Sequence, residues 1–188
     1  MKRSIALAVC VLFILCHAVS GQEAKKVQEP EYLGIFFLLD PNTGNLIPLE
    51  RKPAEAKVKV KAMGFGGGET SIEFKGEKSP VRFKEGQKLE FVVLASSQQI
   101  DPQTIIQFFS LESKKGKRRL IMAKASSMGM SGKSVTSERA VAFNVAKYGT
   151  SSFKVAPAQN LPAGEYTLSG PGTNDGFCFG IDPADQQP

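Results

Sequence analysis

The chain has no tryptophan, and its 188 residues include one histidine and three cysteines. His17, Cys10 and Cys16 all lie within the first 21 residues, so everything after Gly21 holds no imidazole and one thiol, Cys178. Without imidazole, neither a Ser-His nor a Cys-His nucleophile can be assembled, and zinc loses its commonest nitrogen ligand. A single thiol cannot close an internal disulfide. The remaining ~167 residues must therefore be held by a hydrophobic core, and that length is enough for one. Long apolar runs are also missing after the start, and residues 183–188 form a polar tail.

The start itself is strongly patterned. Lys2 and Arg3 precede an apolar run from Ile5 to Leu15, and Ala18 and Ser20 supply small residues for a signal peptidase. Residues 1–21 are expected to be a signal peptide, which makes the domain secreted or periplasmic. The run falls short of the ~20 apolar residues a membrane span needs, and none is expected after cleavage. Leu15 before Cys16 is too large for lipoprotein processing. Cleavage removes two of the 24 basic residues and none of the 18 acidic ones, leaving a basic domain.

Residues 22–31 are charged and end near Pro30, which suggests a flexible lead-in to one domain over 32–182. There the apolar period is two far more often than 3.6. Tyr32–Leu39 reads as a strand buried on both faces. The Asp40–Gly44 turn and a return over Asn45–Glu50 complete a hairpin. In Lys57–Lys61, Val58 and Val60 are expected to face a core and the lysines water, which also discourages edge-to-edge aggregation. Gly64–Gly68 reads as a loop. Further strands follow at Ser71–Lys75, Val81–Lys84, Lys88–Ala95, Arg118–Lys124, Arg139–Val145, Ser152–Ala156, Glu165–Ser169 and Phe177–Ile181. Ala125–Glu138 reads as a long loop. Asp101–Ser110 is ambiguous: Asp101-Pro102 can open a helix, whereas Ile105, Ile106, Phe108 and Phe109 favour a strand. A hairpin is the preferred reading there.

Leu161, Gly164 and Tyr166 carry the most specific fold signal. A leucine, a turn glycine and a strand tyrosine in LPAGEYTL resemble the corner of immunoglobulin-like and fibronectin type III-like sandwiches, where the tyrosine hydroxyl bonds back to the backbone. The resemblance covers Phe153–Leu168 and implies an all-β, immunoglobulin-like antiparallel sandwich with an N-terminal hairpin elaboration. The mature chain is also similar to exported β-sandwich proteins of bacteria. Fold does not carry function.

Several motifs fall short of chemistry. Ser127–Ser134 approaches a phosphate-binding loop but lacks its first glycine, the preceding parallel strand and the following helix. Ser151 and Lys154 have the spacing of a serine–lysine pair, but in a strand they point to opposite faces. Asp40, Asn42, Gly44 and Asn45 resemble part of a calcium loop, yet position five is glycine, and a turn is the better reading. Glu73 and Glu90 alternate with core-type residues and should face solvent. Cys178, between Phe177 and Phe179, reads as a small buried hydrophobe. No cofactor or metal is expected.

The basic cluster Lys114, Lys115, Lys117, Arg118 and Arg119 surrounds a turn at Gly116. It is the one candidate site, a positive tip able to attract anionic polymer. Phe108 and Phe109 point to opposite faces of a strand, so nucleic acid is not an expected partner. These residues together suggest a non-enzymatic binding or structural module at a cell surface, contacting an envelope polymer or protein. A carboxylate-based glycan hydrolase and a chaperone- or pilus-type strand-exchange protein, using Tyr32–Leu39, are the alternatives.

Overall fold

The computed structural model describes residues 27–60, 67–95, 100–125, 132–134, 136–170 and 173–184. The signal segment and most of the near-miss phosphate loop lie outside these residues, as do residues 64–66 of the glycine-rich stretch.

Strands dominate. Leading the chain are β1 (Phe36–Leu39), β2 (Leu46–Pro48), β3 (Glu50–Pro53), β4 (Glu55–Val60), β5 (Gly68–Lys75), β6 (Arg82–Lys84) and β7 (Phe91–Leu94). A single-turn helix, α1 (Pro102–Ile105), precedes β8 (Gln107–Lys114), β9 (Lys117–Ala125) and β10 (Gly132–Ser134). After α2 (Thr136–Arg139) come β11 (Phe143–Tyr148), β12 (Ser152–Pro157), β13 (Gly164–Ser169) and β14 (Asp175–Asp182). The ambiguous stretch resolves into both of its halves. Asp101 accepts a hydrogen bond from the Gln103 amide and caps α1 with Pro102 at its start, and the aromatic residues then extend as β8.

Two sheets form an antiparallel sandwich. The first has the order β11-β12-β7-β1-β2, and the second runs β3-β14-β13-β8-β9-β5-β4, with β6 on β14 and β10 on β9. The expected first hairpin is present, with Phe37 opposite Pro48. Its return strand, however, ends at Pro48: Leu49 is buried, and from Glu50 the chain pairs with β14 in the opposite sheet. The open edge that the strand-exchange alternative needs at Tyr32–Leu39 is not offered by β1, which lies between β7 and β2.

The main core fills the space between the sheets. Phe36, Phe91, Val93 and Val155 face Phe108, Leu168, Phe177 and Phe179, all but fully buried. Ring centroids of Phe91 and Phe179 are 5.0 Å apart, and Tyr166 stacks on Phe179 at 5.5 Å. Each such ring is worth roughly 1.5–3 kcal/mol of transfer free energy. The Tyr166 hydroxyl donates to the Pro162 carbonyl at 2.7 Å, pinning the turn between β12 and β13. That is the corner bond foreseen from Leu161, Gly164 and Tyr166.

The second sheet is buried on its other face as well. β8 divides its pairing, with Gln107–Leu111 on β13 and Glu112–Lys114 on β9. Through that division the sheet folds back, so that Phe74 of β5 and Leu120 of β9 cover Cys178 of β14. The outer positions of β14 are Gly176, Cys178 and Gly180. A Cβ on Gly176 would come within 2.5 Å of Phe74, and one on Gly180 would collide with Arg82. The small residues thus let two large side chains lie flat against the sheet. Burial pushes the Cys178 thiol up to about 11, as expected of an inert core cysteine.

The face of β4 departs from expectation. Val58 and Val60 are 73% and 66% exposed rather than turned into a core. At the other end of the described chain, Glu29 in the expected lead-in is tied down: its carboxylate accepts bonds from the Thr150 and Ser151 amides at 2.7 and 2.9 Å and from the Ser152 hydroxyl at 2.7 Å.

Replacing Tyr166 with phenylalanine removes the corner bond and leaves its ring in place. The expected cost is about 1 kcal/mol, read as a lower urea midpoint with an unchanged m value.

Candidate functional site

The folded-back strands create three neighbouring features: a buried ion cluster, an apolar cleft and a charged outer face. All three arise because β5 and β9 place alternate residues on opposite faces.

Arg118 points inward with no solvent exposure. Its Nη1 lies 2.7 Å from Glu50 Oε2 on β3 and 3.8 Å from Glu165 Oε2 on β13. Its Nε donates to the Gly76 carbonyl at 3.0 Å, and Nη2 to that of Lys75 at 3.3 Å. Glu165 also accepts from Arg82 Nη1 and from the Ser79 amide at 2.9 Å, while Arg82 Nη2 reaches Asp182 at 2.7 Å. Burial raises the Glu50 carboxyl, but hydrogen bonds from Arg118 and Ser79 and the charges of Arg118 and Lys52 outweigh it. Glu50 therefore sits below its ordinary 4.5.

Beside this cluster lies a cleft of about 430 Å³. Its walls are Ala54 and Ala56, Ile72 and Phe74, Phe109, and Leu120 with Met122; Gln107, Ser169 and Asn174 are among the polar lining residues. Asp175, also in the lining, is paired to Arg51. The volume lies within the ordinary range for small-ligand pockets, and apolar walls with a few neutral polar groups are their usual composition. Sequence reasoning missed this site. Its only signal was the alternation of Ile72, Phe74, Leu120 and Met122, which is indistinguishable from an ordinary core.

The outer face carries charge. Glu73, expected to face solvent, is nearly buried beneath Lys117 and Lys59, whose Nζ atoms lie 2.6 and 3.6 Å from its oxygens. Arg119 bonds Glu69 at 3.2 Å and Glu112 at 3.1 Å. The five cations of the tip are therefore not one patch. Arg118 is interior, Lys117 and Arg119 hold carboxylates, and Lys114 and Lys115 remain without a carboxylate partner among the described residues. Lys115 and Gly116 both have positive φ, at 54° and 76°, giving the tight two-residue turn that joins β8 to β9.

The calcium-like turn and the serine–lysine pair resolve as structure. Asp40 accepts from the Asn42 amide at 2.9 Å and the Thr43 hydroxyl at 2.7 Å, closing a turn with its own side chain. Lys154 pairs with Glu90 at 3.1 Å, and the Ser151 amide with Glu29. Among the described residues no cluster of histidine, cysteine, aspartate and glutamate could hold a metal ion, and no helix is long and apolar enough to cross a membrane.

No family model matches the chain, and neither does a curated protein or a solved structure.

Two outcomes test the ion cluster. Replacing Arg118 with methionine takes from Glu50 its closest cationic partner while Glu165 keeps Arg82 and the Ser79 amide, and should lower stability by about 3–5 kcal/mol in urea unfolding. A carboxyl held low in the folded state stabilises above its unfolded pKa, and that stability is lost as pH falls through the folded value. Melting temperatures measured below pH 4.5 should thus fall less steeply for Glu50→Gln than for the native chain.

Proposed function

We propose that this protein is an exported, non-enzymatic binding module of immunoglobulin type that holds an apolar group in the cleft between β5, β9 and β13. The observation that carries this reading is the cleft itself. A concave site of about 430 Å³ walled by Ile72, Phe74, Phe109, Leu120 and Met122 offers contact area to an apolar group. Its lining hydroxyls and amides, on Thr167, Ser169, Thr173, Gln107 and Asn174, can orient a ligand. The mature chain has no histidine to pair with these hydroxyls, and the one carboxylate among the lining residues, Asp175, is engaged by Arg51.

The immunoglobulin-type assignment is supported by pairing order. The sequence β11-β12-β7-β1 opposite β14-β13-β8 follows the D-E-B-A and G-F-C orders of that fold, and β6 lies parallel to β14 just before β7. The Tyr166 corner sits between the strands equivalent to E and F. Export rests on the leader-like residues 1–21.

A second reading, contact with an anionic surface polymer, is favoured by Lys114 and Lys115 alone. They border an open groove of about 660 Å³ with Lys59, Lys117 and Arg119, but Glu69 and Glu73 share it. The two carboxylates anchor the cations around them more than they leave charge for a ligand.

A neutral fluorescent probe, N-phenyl-1-naphthylamine, should bind the native protein with increased emission. Ala56→Trp, at an exposed position on the cleft wall, should abolish that signal and leave the melting temperature within a degree or two; probe emission unchanged by the tryptophan would remove the cleft from the account. Reversing Lys114 and Lys115 to glutamate should lower the salt needed to elute the protein from heparin if the second reading holds.

A further inference from the structure

We infer that β4 is a docking edge that adds one extended strand from a partner protein, and that the partner strand alternates apolar with acidic residues. The inference deepens the binding reading and rests on it for one feature, the cleft beside the edge.

β4 is the terminal strand of the larger sheet and pairs with β5 alone among the described residues. All six of its residues are exposed. No strand among the described residues takes its second set of backbone donors and acceptors, which makes it a template for another strand. β1, the strand that the strand-exchange alternative would have used, is enclosed on both sides.

The two faces of β4 specify what the added strand looks like. Ala56 lines the cleft, and Val58 and Val60 continue the same face outward at 73% and 66% exposure. An unbroken apolar stripe thus runs from the cleft to the open edge. Apolar side chains at alternate positions of an added strand would lie along it, and one could reach the cleft. The opposite face presents Glu55, Lys57 and Lys59. Lys57 shares Glu55 at 3.1 Å, and Lys59 shares Glu73 at 3.6 Å with the closer Lys117. Both lysines are about half exposed and can also take up a carboxylate across the new pair. A second copy of this chain is the poorer occupant. Antiparallel pairing of two copies about Lys57 would match Glu55 with Lys59 on either side but set Lys57 against Lys57, a like-charge contact that an acidic strand avoids.

The test uses a labelled ten-residue peptide alternating valine with glutamate, and a control alternating valine with lysine. Fluorescence anisotropy should detect binding of the first and not the second. Reversal of Lys57 and Lys59 to glutamate, at exposed positions, should weaken the acidic peptide by roughly tenfold or more and admit the basic one. Amide hydrogen exchange on the native protein should show residues 55–60 becoming protected when the acidic peptide is bound. Binding that protects only residues 72–74 and 120–122 would overturn the edge while leaving the cleft reading intact. Binding indifferent to the charge reversal would overturn the partner's acidic character. Protection of residues 55–60 that rises with protein concentration, with no peptide present, would identify a second copy as the occupant and overturn the partner strand. Failure of the acidic peptide to bind at all, with the naphthylamine probe still bound, would reject the edge alone; loss of both would reject the binding reading as well.

Discussion

A guanidinium sealed from solvent is the constraint on which the rest of this structure depends. Arg118 can occupy the interior only because Glu50, Glu165 and two backbone carbonyls surround it, and those groups come from different strands. Isolated buried charge is prohibitively costly, so each partner must be in place for the others to be tolerated. The cluster ties β9 to β3 and β13. It thereby fixes how the second sheet folds back on its own outer face.

From that closure the other features follow. Folding back gives β14 two buried faces, which explains its composition: phenylalanines toward the main core, and Gly176, Cys178 and Gly180 toward the second. It leaves a cleft where β5 and β9 do not meet β13 completely. It also carries β4 beyond the body of the sandwich, where nothing among the described residues covers its valines or its outer edge. A stabilising device in one layer thus produces the concave and open surfaces that the binding account uses.

Much of the architecture was legible in the sequence, because period-two alternation and turn chemistry are local. The Asp40–Gly44 hairpin and the corner at Tyr166 follow from spacing of a few residues, and alternation separates Phe108 from Phe109 and Cys178 from Phe177 and Phe179 without saying which set faces the main core. The fate of the basic cluster was not legible. Lys114 to Arg119 reads as a positive tip, yet Arg118 meets Glu50 across 68 residues, Arg119 meets Glu69 across 50 and Lys117 meets Glu73 across 44. Composition cannot show that glutamates so distant converge on one hairpin. The same blindness explains Val58 and Val60: alternation identifies two faces of a strand, but which face finds a partner depends on how the sheet curls. The cleft escaped for a related reason, since its walls look like core until the third layer stops short of closing it.

The most direct measurement of the central claim is residue-resolved native-state hydrogen exchange by NMR across the two cores. If the Arg118 cluster makes the folded-back strands an integral part of the domain, amides of Phe74 and Leu120 will exchange through the same global unfolding as those of Phe177 and Phe179, with one free energy and one denaturant dependence. Exchange of Phe74 and Leu120 through a separate opening of much lower free energy, with Phe177 and Phe179 still protected, would contradict it.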